Sequence, residues 1–206
     1  MESLRKVLCS APAIFVIAVG ISFPSYAGHL HYSCGADFDL AIPPRKDGKG
    51  WMEDAMVFAA AEGIVIDIDV TVNITHSSVC DLQIYLQSPA GTRLCLNSYD
   101  IDDFIPFEKN FLWTTFDDQA QTAIEDGQSP FTGRFRPKSP GTFSVFEGES
   151  VHGIWLIQIY DAVYADCGTL HNVKLDFVVN PEPSTVVFLI MGIFWRKLRW
   201  QRKVKR

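Results

Sequence analysis

Between Ile64 and Ile74 the chain alternates without interruption: Ile64, Ile66, Ile68, Val70, Val72 and Ile74 are separated by Val65, Asp67, Asp69, Thr71 and Asn73. A period of two is that of a strand with one wet face, whereas a helix would scatter the same apolar residues around its circumference. The rule returns in Leu82, Ile84 and Leu86 against Gln83, Tyr85 and Gln87. Ser88-Pro89-Ala90-Gly91 then supplies turn chemistry, with Pro where φ is pre-set and Gly where a positive φ is tolerated, so Thr92–Leu96 reads as the hairpin partner. Further on, 155–160 and 173–179 read as a second pair joined through the loop 161–169. Only Asp54 to Glu62 has room for a helical turn. Short half-buried strands joined by Gly, Pro and Asp loops predict an all-β fold, an antiparallel β-sandwich of jelly-roll type flanked by terminal signal segments.

The two ends belong to a different pattern. Arg5 and Lys6 precede an apolar stretch from Ala11 to Phe23 and the small-residue site Ser25-Tyr26-Ala27, so residues 1–27 read as a signal peptide cut by signal peptidase after Ala27. Residues 28–41 are an N-terminal extension, and 42–179 the domain. From 180 to 206 a polar Pro-containing stretch leads into the apolar run Val186 to Trp195 and then into seven Lys/Arg with no acid. The prolines keep the first part extended. The apolar run enters the bilayer, and the basic cluster resists translocation. This tail resembles the PEP-CTERM sorting signal of Gram-negative bacteria, with Pro181-Glu182-Pro183 as the defining tripeptide. The resemblance implies an exosortase-type processing enzyme as partner, transient membrane anchoring, and a cell-surface or extracellular destination. The run departs from a full span, because a bilayer core takes about 20 helical residues. It lengthens only if Arg196, Lys197 and Arg199 snorkel.

Removing both ends changes the charge. The whole chain is −6, but residues 28–181 hold nine Lys/Arg against 22 Asp/Glu, a net −13. Such a module repels phosphate backbones, which excludes nucleic acid as a partner and leaves divalent cations or plain solubility. Four cysteines remain in the exported part, Cys34, Cys80, Cys95 and Cys167. In an oxidising compartment they allow up to two disulfides, with three connectivities open. Their spacing does not suit zinc.

Several segments in order resemble the P domain (P/Homo B domain) of kexin- and furin-like proprotein convertases, in its stand-alone bacterial form. They are Ile74-Thr75-His76, the stretch from Asp81-Leu82-Gln83 through Ser88-Pro89-Ala90-Gly91-Thr92, Gly153-Ile154-Trp155-Leu156, and Asp161 through Asp166-Cys167-Gly168-Thr169-Leu170. Phe116-Asp117-Asp118-Gln119-Ala120 and Pro130-Phe131-Thr132-Gly133 look like the linker between them. In that family the protease triad lies in a separate subtilisin-like domain, so the resemblance implies a non-catalytic accessory domain. The chain departs from the family at Cys80, where Gly is usual, and at Cys167, where a small polar residue is common. Both loops fall at one end of the expected sandwich, which implies a Cys80–Cys167 disulfide and leaves Cys34 for Cys95.

Candidate chemistry is sparse. A triad needs a nucleophile held by a His that a carboxylate orients, and there is no G-x-S-x-G elbow among the serines. Calcium is the one plausible cofactor. Asp81, Asp161 and Asp166 are expected at one end, and Asp117-Asp118 and Asp100/Asp102/Asp103 make further acidic loops of the hard-oxygen type it prefers. Trp51, Trp113, Phe104 and Phe107 are candidates for a glycan-binding face. Two functions follow: a surface-displayed module that binds another surface protein or a glycan, and an accessory domain that binds or stabilises a subtilisin/kexin-like serine endopeptidase in trans.

Overall fold

The alternating segments fold as strands. The computed structural model describes residues 29–46, 50–99, 108–138, 140–164 and 166–181. In chain order the strands are β1 (Leu30–Ile42), β2 (Ala55–Ala59), β3 (Ile64–His76), β4 (Leu82–Gln87), β5 (Arg93–Asn97), β6 (Phe111–Phe116), β7 (Phe131–Phe135), β8 (Gly153–Asp161) and β9 (Gly168–Asn180). They make a five-stranded sheet, β1-β9-β3-β6-β7, and a four-stranded sheet, β2-β8-β4-β5. Neighbours are antiparallel except β6 and β7, which run parallel. The all-β sandwich expected from the sequence is the fold observed.

The core lies between the sheets and is built by the inward half of each alternation. Leu82, Ile84 and Leu86 of β4 are buried in one cluster with Val70, Val72, Leu175 and Phe177 from the other sheet's strands. Trp155 is fully buried, with Phe146 at 5.3 Å and Phe177 at 5.2 Å between ring centroids. Its indole Nε1 donates to the Val151 carbonyl at 3.0 Å, so the ring is buried with its one polar atom satisfied. Each such large apolar side chain contributes about 1.5–3 kcal/mol on burial.

Three expectations need correction. The stretch 54–62 holds β2, not a helical turn: Ala55, Val57 and Ala59 are buried while Met56 and Phe58 point out. In β3 the register shifts between Val65 and Asp67. The shift makes Val65, rather than Ile64 or Ile66, the buried residue at the strand's start, because one extra residue flips every side chain before it. Finally, β8 and β9 are not partners. β8 sits between β2 and β4, and β9 between β1 and β3, so the loop joining them crosses from one sheet to the other. The extension expected before the domain contributes β1, which pairs along β9 from Leu30↔Val179 to Ile42↔Gly168.

Candidate functional site

The outer surface of the four-stranded sheet has an unusual composition. Its outward side chains are Met56 and Phe58 on β2, Ile154, Leu156, Gln158 and Tyr160 on β8, Gln83, Tyr85 and Gln87 on β4, and Arg93 and Cys95 on β5. None of these is a carboxylate, in a module that carries net −13. Met56 (60% exposed), Phe58 (58%) and Ile154 (48%) form the apolar end of the face. Ala55–Ala59 pairs in register with Gly153–Ile157, which sets Phe58 opposite Ile154. His152 closes this end edge-on to the Phe58 ring, with centroids 5.5 Å apart. Adjacent exposed apolar side chains of this size mark an interaction surface far better than scattered ones do.

The other end of the face is aromatic and cationic. Trp51 bridges to Tyr160 by backbone pairing and lies 5.0 Å from its ring and 6.2 Å from that of Tyr85. The Arg93 guanidinium sits 3.8 Å over Tyr85 and 5.4 Å from the Trp51 ring. Arg held on aromatic faces is rigid, charged and half-desolvated, the composition of an interface anchor. Of the four aromatics considered for a glycan face, Trp51 alone lies here. Trp113 is exposed on β6 in the other sheet, and Phe104 and Phe107 fall outside the described residues.

A second cluster forms at the end where β3 finishes and β4 begins. His76 pairs with Gly168, Leu82 with Asp161, and the Ala162 N–H donates to the Asp81 carbonyl at 2.9 Å, so three segments meet. His76 Nε2 lies 3.3 Å from Asp161 Oδ2, both side chains being fully buried. Asp161 Oδ1 accepts from the Val163 N–H at 2.9 Å, and Ser77 donates to Asp166. Asp81 is buried, and its Oδ1 has no hydrogen-bond partner. Burial, with Asp166 and Asp161 facing it, pushes its carboxyl up to about 6. The three aspartates named from the sequence therefore do share one end. Among the described residues, however, no three metal-ligating side chains converge closely enough to hold an ion as they stand.

The proprotein convertase P-domain family matches residues 65–177, more than half of the chain. This chain belongs to that family. The P domain is the non-catalytic accessory domain of proprotein convertases. Two solved structures are similar: the serine protease of Aeromonas sobria (TM-score 0.48, 18% identity, 77% of this chain and 28% of that one) and the complex of the same protease with its chaperone (TM-score 0.48, 19% identity, 74% and 27%). The chain thus spans little more than a quarter of the proteins in those structures. No curated protein matches it.

No disulfide joins the cysteines of this P domain among the described residues. Cys34 lies on edge strand β1, packed against the core. Cys95 lies on edge strand β5 of the other sheet, between the buried Leu94 and Leu96, and faces outward. Because β1 packs on β2 and β5 is the opposite edge of that sheet, the two thiols cannot meet. Cys80 and Cys167 are at the same end, but the Cys80 thiol donates to Glu108 Oε2 at 3.1 Å while Cys167 is exposed. Burial pushes the Cys80 thiol up to about 12, and the Glu108 carboxylate adds to the effect, so it is a poor nucleophile.

The P domain also lacks an assembled triad among its described residues. His76 is spent structurally, Nε2 on Asp161 and Nδ1 on the Ser78 carbonyl at 2.7 Å, and no hydroxyl reaches it. A hydroxyl–His–carboxylate chain does occur on the outer five-stranded face, where Thr75 Oγ1 lies 2.9 Å from His171 Nε2 and His171 Nδ1 lies 3.5 Å from Asp39. It sits on open strand surface, with the Thr75 and His171 strands committed to ladder pairing, so nothing there would bind a substrate or stabilise an oxyanion.

Proposed function

We propose that this chain is an exported, non-catalytic P-domain module that binds a protein partner at the cell surface through the outer face of its four-stranded sheet. The observation that carries this reading is a half-apolar face on a strongly acidic module, with Met56, Phe58 and Ile154 exposed side by side among strand side chains that include no outward carboxylate. A fold needs its inner faces apolar, but stability gives no reason to keep Met56, Phe58 and Ile154 in water.

Export rests on the two ends of the sequence, which lie outside the described residues apart from Asn180 and Pro181. Signal peptidase cuts after Ala27. The tail around Pro181-Glu182-Pro183 holds the protein at the membrane through its apolar run until an exosortase-type enzyme processes it.

A second reading is favoured by family membership itself. P domains accompany convertase catalytic domains, so the same face would bind or stabilise a subtilisin/kexin-like serine endopeptidase in trans. One experiment serves both. Immobilised protein is offered envelope extract and, separately, a purified secreted serine protease of this type. Capture that is lost in Phe58→Glu and kept in Thr71→Glu, on the opposite outer face, supports the docking face, and the bait that is retained decides between the readings. Equal capture by both variants sinks the docking face.

A further inference from the structure

The strand register lays one row straight across the four-stranded sheet. Met56 pairs with Leu156, Leu156 with Gln87, and Gln87 with Arg93, so one outward residue from each of β2, β8, β4 and β5 stands in line. Phe58 and Ile154 are the next outward pair along β2 and β8, which makes Met56, Leu156, Phe58 and Ile154 an apolar square on the β2 side. At the far end of the row Arg93 is exposed, leans over Tyr85 and makes no ion pair among the described residues. Carboxylates border the β2 side instead. Asp54 accepts from Gln158 Nε2 at 3.2 Å, and Glu62 lies 3.9 Å from His152 Nε2. Among the described residues no Lys or Arg pairs with either of them. The face is therefore polarised, from a cation on β5 through a neutral middle to an apolar square rimmed by acids.

We infer that the partner lays across this face an extended protein segment whose carboxylate is clamped by Arg93, whose apolar side chain four residues away fills the Met56, Leu156, Phe58 and Ile154 square, and whose cation beyond it faces Asp54 and Glu62. This rests on reading the face as the docking surface. The spacing follows from the sheet. Three strand spacings separate the β2 and β5 positions, about 14 Å in all, while four residues of extended chain rise about 13 Å and bring side chains i and i+4 to the same side. The clamp follows from the cation. A guanidinium offers a carboxylate two parallel hydrogen bonds, and one already stacked on Tyr85 gives up little freedom in forming them.

Charge also sets which way the segment lies. Laid the other way round, it would put its carboxylate against Asp54 and Glu62 and its cation against Arg93, on a module already at net −13. A sugar fits this face less well. Arg93 covers Tyr85, the Trp51 and Tyr160 rings are tilted by 42° and give no flat platform, and the side chains of the apolar square have no hydrogen-bonding group for a hydroxyl.

The test uses the full chain and fluorescein-labelled synthetic peptides of Ser/Thr background, made in both chain directions, in which a Leu stands four residues from a Glu and two from a Lys on its other side. Fluorescence anisotropy gives Kd. Binding should weaken about tenfold or more when the peptide Glu becomes Gln or when the protein carries Arg93→Gln, with no further loss when both are changed. It should return when Arg93→Glu meets a peptide with Lys in place of its Glu. Equal binding by wild type and Arg93→Gln overturns the inference, and so does a failure of every peptide to bind. Binding of oligogalacturonate that requires Arg93, with the peptides silent, assigns the face to an acidic glycan and also overturns it. Phe58→Glu is measured alongside. If it abolishes peptide binding while Arg93→Gln does not, only the clamp falls, and if it leaves capture from envelope extract unchanged as well, the docking reading falls with it.

Discussion

The two outer faces of this sandwich enclose the same kind of core and yet differ in how their polar groups are used. On the five-stranded sheet the outward residues satisfy one another. Arg134 reaches Asp69 at 2.5 Å and Asp117 at 2.8 Å, Lys174 reaches Asp176 at 2.9 Å, Thr71 meets Thr115 at 2.8 Å, and Ser33 donates to Asp176. On the four-stranded sheet Met56, Phe58 and Ile154 are exposed without a polar group to satisfy, beside Gln158 donating to Asp54 at 3.2 Å and His152 lying 3.9 Å from Glu62, and Arg93 is stacked on aromatic rings. The inner faces report the fold, and the contrast between the outer ones is what the proposed docking role rests on. One face is finished in itself; the other keeps large apolar side chains in water.

The contrast breaks first on stability. Asp117 is buried and accepts from both Arg134 Nε and the Gln119 N–H at 2.7 Å. Asp117→Ala should cost about 2 kcal/mol in chemical denaturation, since hydrogen bonds to charged groups are the strong ones. An unchanged midpoint would mean that the five-stranded face is not self-supporting.

Binding gives the converse. Phe58→Glu combined with Ile154→Lys should weaken partner capture about tenfold or more, which is about 1.4 kcal/mol. Its stability should stay within about 0.5 kcal/mol, as for other surface changes. A collapse of stability would make those residues structural.

Acid pH sharpens the comparison. Burial raises the Asp69 and Asp118 carboxyls above their ordinary range, and Asp81 at the sandwich end rises to about 6 through burial and the facing Asp166 and Asp161. A carboxyl raised in the folded state contributes stability that is complete below its unfolded value and lost as pH climbs through the folded one. The Asp81 contribution should therefore add about 1 kcal/mol between pH 7 and pH 5. Thermal melts of wild type and Asp81→Asn across that range should differ in slope by this amount. Parallel slopes would place the Asp81 carboxyl in contact with water.

The smallest effect concerns Trp113, the exposed aromatic of the finished face, held at φ 54° where a bulge shifts β6 against β3 and β7. Trp113→Gly relieves that strain and should change stability by less than about 1 kcal/mol. Capture should not change. If it falls, exposed aromatics on either side serve the partner.

Legibility in the sequence followed the same division. Strands with one apolar and one polar face, such as β3 and β4, announced themselves by alternation. β2 did not, because Ala55-Met56-Val57-Phe58-Ala59 is apolar on both faces and shows no period. The property that hid this strand is the one on which the proposed docking role rests. β6 was masked by the Trp113 bulge. The pairing of β8 with β9 was misjudged because sequence neighbours were given a shared sheet, whereas the loop between them changes sheets. Asp81, Asp161 and Asp166 do lie at one end as expected, while nothing in the sequence marks His76 as their buried neighbour. The Cys34–Cys95 pairing failed because parity counts thiols without seeing which edge each strand occupies.

The pairing of β1 with β9 sets the order of folding. The first strand of the domain hydrogen-bonds to the last, from Leu30↔Val179 onward, and β3 closes on the other side of the same late strand. A chain emerging N-terminus first can pair β3 with β6, but it must carry β1 and the other edge of β3 unpaired until Gly168–Asn180 appears. Such high-separation pairing is slow, and open edges in the interim invite aggregation. The sandwich cannot close progressively as it emerges: β9 acts as the keystone, and any truncation that enters Gly168–Asn180 should leave no partial domain behind.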